Sequence, residues 1–230
     1  MKRLLLAGLG LAAVLTTSAF ASDMPGRALP PPRAPSFVPF FTWNGFYLGL
    51  NAGYGFGQSS WTNTIVPQAT TGKFDVSGGL FGGTIGYNVQ FSTAVFGVEG
   101  DMAWSGIKGS SSPATTGCAG PCETSNTWLG TARGRLGYAF DRFLPYVTAG
   151  AAFGEVKGTV VGGNSFTNTK VGWTAGLGME YAFLGPWSAK LEYLYVDLGK
   201  VTCSAACSGA APIDVTFTSN IIRAGVNYKF

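Results

Sequence analysis

The stretch Gly45-Phe46-Tyr47-Leu48-Gly49-Leu50-Asn51-Ala52-Gly53-Tyr54-Gly55-Phe56-Gly57 changes character at every step. Phe46, Leu48, Leu50, Ala52, Tyr54 and Phe56 share one face, and Gly45, Tyr47, Gly49, Asn51, Gly53, Gly55 and Gly57 share the other. Successive side chains of a strand point to opposite sides, so a period of two marks a strand with one apolar and one small or polar face. The run of about a dozen residues is roughly twice an ordinary soluble strand.

The same alternation returns along the chain. Phe81, Gly83, Ile85, Tyr87 and Val89 give a second apolar face, and Phe96, Val98, Gly100, Met102 and Trp104 a third. Further strands are read at Trp128–Phe140, Leu144–Val156, Val171–Phe183, Ala189–Tyr195 and Ile222–Phe230, which makes eight. Their connections alternate. Gly57–Phe74, Ser105–Asn126, Lys157–Thr169 and Gly199–Pro212 are long, whereas Gln90–Thr93, Asp141–Phe143 and Leu184–Pro186 are short. An even number of strands, each long enough for a tilted membrane crossing, with long loops at one end and tight turns at the other, is the plan of an outer-membrane barrel. The expected fold is all-β: an eight-stranded antiparallel transmembrane β-barrel over residues 43–230, with long extracellular loops and short periplasmic turns. Trp43, Trp104, Trp128, Trp173 and Trp187 are placed in its aromatic girdles. A soluble sandwich or lipocalin-like barrel would have to turn the Gly, Thr and Asn face to water, a poor solvent surface.

Composition agrees. Glycine supplies 35 of 230 residues, about twice the usual share. Charged residues are 11%, aromatics 14%, and there is no histidine. The missing histidine excludes Ser-His and Cys-His nucleophiles and any His-ligated metal or haem. Removing Lys2 and Arg3 with the leader leaves 13 of the 15 basic residues against 11 acidic ones, with no basic cluster. That argues against a nucleic-acid partner.

The leader is Met1 to Ala21: a charged start at Lys2 and Arg3, a short apolar run from Leu4 to Leu15, and small residues at Ala19 and Ala21. This is a cleavable secretory signal peptide, too short in its apolar run to span a membrane. Residues 22–42 form a Pro-rich periplasmic linker, with six of the chain's 12 prolines between Pro25 and Pro39.

Few constellations could carry chemistry. Glu99 and Asp101 share one face, as do Arg133 and Arg135 on the following strand, with Glu180, Lys190, Glu192 and Arg223 on matching faces. A carboxylate pair can serve acid–base catalysis. The favoured reading is an ion-pair network in the lumen, because charges in a narrow, partly dry interior must be paired. Cys118, Cys122, Cys203 and Cys207 form two C-x3-C pairs in long loops. In an exported chain they point to disulfides, local pairs being the simplest of three connectivities; four thiolates could instead hold zinc. No cofactor is expected. Val226, Tyr228 and Phe230 share the apolar face of the last strand, resembling the C-terminal signal read by the barrel-assembly machinery.

Trp43 to Gly55, Phe96-Gly97-Val98-Glu99-Gly100-Asp101, Arg133-Gly134-Arg135-Leu136-Gly137-Tyr138, Val171-Gly172-Trp173-Thr174-Ala175-Gly176 and Leu191-Glu192-Tyr193-Leu194-Tyr195 together resemble the RopB-like outer-membrane immunogenic proteins of alphaproteobacteria. These are porin-family chains with an OmpA-type eight-stranded barrel. The resemblance implies an abundant surface protein of the outer membrane that supports envelope integrity; the missing histidine weakens an enzymatic reading, and no enzymatic activity is expected. The resemblance also implies contact with outer-membrane lipid, lipopolysaccharide and host surfaces. Some relatives are joined to peptidoglycan at the start of the mature chain; here that start is Ser22-Asp23, where such relatives carry Ala-Asp. Two other readings stand beside it: a narrow diffusion pore for small solutes, and an outer-membrane enzyme acting on lipid. Mass spectrometry of the chain extracted from envelopes is expected to find Ser22 as the first residue; a retained Met1 would remove the cleavage assignment.

Overall fold

A computed structural model of the chain describes residues 41–63, 70–111, 122–160, 165–203 and 213–230. The expected signal peptide with Ala19 and Ala21, nearly all of the expected 22–42 linker, and Cys118 and Cys207 lie outside the described residues. Cys122 and Cys203 sit at strand ends, their side chains also outside what is described.

Eight strands form one closed antiparallel barrel. They are β1 (Gly45–Asn63), β2 (Thr70–Phe91), β3 (Ala94–Ser110), β4 (Cys122–Tyr138), β5 (Phe143–Val160), β6 (Ser165–Leu184), β7 (Trp187–Cys203) and β8 (Ile213–Lys229). Each pairs with its sequence neighbours, and β1 closes the ring on β8 from Tyr47↔Lys229 to Asn63↔Ile213. Every strand therefore has its backbone groups paired on both edges, as a membrane requires.

The strands are longer than the sequence reading gave them. They run 17 to 22 residues and reach into all four segments read as long loops, of which 64–69, 112–121, 161–164 and 204–212 lie outside the described residues. β8 begins at Ile213 rather than Ile222. At a rise of ~3.3 Å and a tilt of ~40°, a 17-residue strand climbs ~43 Å. An apolar band of ~25 Å suffices for the hydrocarbon layer, so the barrel stands well beyond it.

Three tight turns close the other end: Ser92-Thr93, Asp141-Arg142 and Gly185-Pro186. In each the first residue has positive φ, 56° at Ser92, 53° at Asp141 and 52° at Gly185, and the second does not. This is the φ signature of a type II′ turn, whose twist suits a hairpin.

Two faces follow from the period. Outward lie Phe46, Leu48, Leu50, Ile85, Val98, Met102, Leu136, Val147, Leu177 and Ile222, all exposed. Inward, large side chains stand across the ladder from glycines: Tyr47 from Gly86, Arg223 from Gly53, Arg135 from Gly97, Arg133 from Gly150, and Tyr146 from Gly178. An eight-stranded ring leaves room for side chains and little else. Glycine on one strand thus makes the space its neighbour fills.

Trp43 departs from its expected girdle position. It is 3% exposed and packs inside the short-turn end with Val95, Ala139, Leu144 and Ala182. Its Nε1 donates to the Asp141 carbonyl at 3.0 Å, which is why the ring turns in before β1 begins. Trp104, Trp173 and Trp187 do face outward.

Gly150→Val is expected to lower the urea midpoint of the refolded barrel by an amount worth at least ~1–3 kcal/mol. A Cβ there would stand 2.1 Å from the Ala132 carbonyl oxygen and 2.6 Å from the Arg133 Cα. Outward Gly79→Ala, with nothing nearer than 3.9 Å, should stay within ~0.5 kcal/mol.

Candidate functional site

The lumen is built in three layers. The middle one gathers the charges. Glu99 and Asp101 come from β3, Arg133 and Arg135 from β4, Glu180 from β6, Lys190 and Glu192 from β7, and Arg223 from β8. Four acidic and four basic groups meet there, none more than 8% exposed.

Arg133 is the hub. Nη2 reaches Asp101 Oδ2 at 2.7 Å and also bonds Glu99, while Nη1 reaches Glu192 Oε1 at 2.9 Å. Its Nε donates to Thr131 Oγ1 at 2.8 Å. Arg223 grips Asp101 through Nη1 at 2.9 Å and Nη2 at 3.0 Å, and donates from Nε to Glu192 Oε2 at 2.6 Å. Lys190 Nζ lies 3.2 Å from Glu99 Oε2. Arg135 pairs with Glu180, and its guanidinium lies 3.8 Å from the centre of the Tyr146 ring. All eight predicted lumen charges are thus brought together, and each has at least one opposite partner.

Several participants were not singled out from the sequence. Tyr47 donates to Glu99 Oε2 at 2.7 Å, Thr131 to Asp101 Oδ2 at 2.6 Å, and Tyr146 to Glu192 Oε1 at 3.2 Å. Asn227 Nδ2 donates to Glu180 Oε1 at 2.7 Å, and Ser188 also donates to Glu180. A tyrosine on a face otherwise made of Gly and Asn was the signal for Tyr47. Bonds of this kind matter because a carboxylate has about four acceptor sites to satisfy.

Toward the long-loop end the polarity of the faces reverses. Trp61, Val76, Leu80, Ile107, Val156 and Phe217 point inward and pack as one apolar cluster. Gln58, Lys73, Asp75, Lys108, Glu123 and Lys157 are exposed at this end. On β4 the ladder shifts register between Asn126 and Leu129, so both turn inward. On β7 a shift falls between Asp197 and Lys200, where Gly199 takes φ 68° and donates to Asp197 Oδ1 at 2.7 Å. The sequence reading stopped its strands short of this region because it followed apolar residues on the outer face.

The third layer is the Trp43 cluster at the short-turn end. Phe41 packs edge-on against Trp43 at 4.9 Å, and Lys229 Nζ stands 4.4 Å from the Phe41 ring centre and bonds the Thr42 carbonyl. Val226, Tyr228 and Phe230 face outward. Phe230 lies 5.1 Å from Tyr228 and 5.8 Å from Phe46, ring centre to ring centre.

A closed ring of long tilted strands, apolar outside and charged within, defines an outer-membrane β-barrel. A family model described as outer membrane protein beta-barrel domain matches residues 7–230. The chain is 39% identical over 248 residues to the 31 kDa outer-membrane immunogenic protein of Brucella melitensis, covering 100% of both. It is 33% identical over 194 residues to the 22 kDa outer membrane protein of Rhizobium leguminosarum, covering 84% of this chain and 80% of that one. Among solved structures, Neisserial surface protein A matches at 18% identity and a TM-score of 0.45, over 81% of this chain and 97% of its own. The chain belongs to the outer membrane β-barrel family, and its place is the outer membrane.

Removing one partner of a buried ion pair strands the rest. Arg133→Ala is therefore expected to cost about 3–5 kcal/mol in urea or heat unfolding of the folded barrel. Exposed Lys157→Ala should leave the midpoint in place; an unmoved midpoint for Arg133→Ala would refute the hub assignment.

Proposed function

We propose that this chain is a closed-lumen structural and surface-interaction barrel of the outer membrane, with no catalytic activity. The observation that carries this reading is the balance of the charged layer: four carboxylates and four cations, all buried and all paired. A general base needs a carboxylate that can meet a substrate. Here each carboxylate is already engaged by arginine, lysine or hydroxyl groups. A conducting lumen needs continuous water. At the short-turn end, the pocket between Trp43, Tyr47, Asn88, Glu180 and Ser188 is about 10 Å³, room for no more than one water.

The function then lies on the outside. The apolar belt contacts outer-membrane lipid, including lipopolysaccharide, and holds the extracellular loops at the surface, where host surfaces can be met. The outward Val226, Tyr228 and Phe230 are the strand end offered to the barrel-assembly machinery during insertion, and the segment before β1 is the place for attachment to peptidoglycan. Relatives named as outer-membrane immunogenic proteins support a surface-exposed role.

The refolded full chain in a planar bilayer is expected to give no reproducible conductance steps. Its folded state is verified by the heat-dependent shift of its electrophoretic mobility. Regular steps that change with Glu99→Gln would put a narrow diffusion pore in place of this reading.

A further inference from the structure

The charged layer is one of three, and the layer above it is of a different kind. Trp61, Val76, Ile107, Leu198, Val215 and Phe217 are each no more than 2% exposed. They come from β1, β2, β3, β7 and β8, and Leu129 of β4 and Val156 of β5 join them, so seven of the eight strands wall the layer. The layer also reaches across the barrel. Trp61 Nε1 on β1 donates to Thr124 Oγ1 on β4 at 2.9 Å, and Ser59 Oγ lies 3.2 Å from the same hydroxyl. These strands are three places apart in the ring, so the indole lies over the lumen and not along its wall.

The outer wall at this level carries Gln58, Asp75, Lys108 and Lys157, so it faces water and not hydrocarbon. The apolar interior is therefore the core of a small water-soluble barrel standing on a membrane barrel. An apolar constriction stops ions by shedding water. A broken salt bridge does the opposite: it frees charges that hydrate. Loss of the charged layer alone would leave a wet chamber with a dry ceiling.

We propose that the extracellular apolar layer is by itself a sufficient barrier to ions, and that the ion pairs beneath it stabilise the barrel without being its seal. This rests on the closed-lumen reading above. The assignment makes Trp61 and Phe217 the residues that decide whether the lumen conducts.

The test is conductance of the full chain in planar bilayers, each protein first shown to be folded by its heat-dependent mobility. A lower-layer variant, Trp43→Ala with Glu99→Gln, is expected to be as silent as the unaltered chain. Adding Trp61→Ala and Phe217→Ala to it should produce reproducible steps. Should that variant not refold, Val76→Thr with Val215→Thr in the same lower-layer background wets the layer without emptying it, and the same steps are expected. Steps from the unaltered chain would overturn the closed-lumen reading, and this proposal with it. Steps from the lower-layer variant alone would leave that reading standing and overturn the proposal. Silence after both layers are opened would also overturn it, since the barrier would then lie elsewhere.

Discussion

Everything in this barrel answers to one constraint: eight charges occupy an interior too narrow to hydrate them. An ionised group moved from water into a low-dielectric interior loses several kcal/mol even after relaxation, and recovers it only through well-made partners. The lumen meets this with pairing at every charge and hydroxyl donors where a carboxylate has acceptor sites to spare, as Tyr47 and Thr131 supply. Space is the second half of the constraint. Guanidinium and phenol groups fit only because the residue across the ladder is glycine, as with Arg133 and Gly150 or Tyr146 and Gly178. The inward-facing glycines are thus a record of lumen packing.

The membrane-spanning part was legible because lipid imposes a pattern that water does not. Apolar side chains must face out over a fixed height, so Phe46 to Phe56 or Val171 to Phe183 announce themselves by period and length. The eight lumen charges were legible by the same parity, since each sits on the face opposite an apolar row. What the pattern hid was the upper barrel. From Ser59 on β1, Val76 on β2 and Val215 on β8, the strands keep their period while the apolar residues change sides. A search for apolar-out alternation reads that reversal as the end of the strand. Register shifts near Asn126 and Gly199 blurred the parity further.

Trp43 illustrates a different limit. Its composition and place near a strand end suit a girdle, yet it lies before the first ladder residue and is free to fold inward. Its position follows from a hydrogen bond to the Asp141 carbonyl, 98 residues away in sequence. No local pattern encodes such a bond. The charge network shows the same limit. Parity places Arg223 in the lumen, but only the closed ring shows that it bridges Asp101 on β3 and Glu192 on β7.

That bridge has a consequence for how the molecule is made. Arg223 belongs to β8, the strand that completes the ring. In an open sheet Arg223 stands across the β7–β8 ladder from Glu192, but Asp101 on β3 lacks one of its two arginines until β1 meets β8. An open sheet entering lipid would carry that imbalance inside it, at several kcal/mol. The final strand therefore brings the last counter-charge along with its backbone hydrogen bonds. Closure and the Arg223–Asp101 pair arrive in the same step, so an incomplete barrel is penalised electrostatically as well as at its exposed edge.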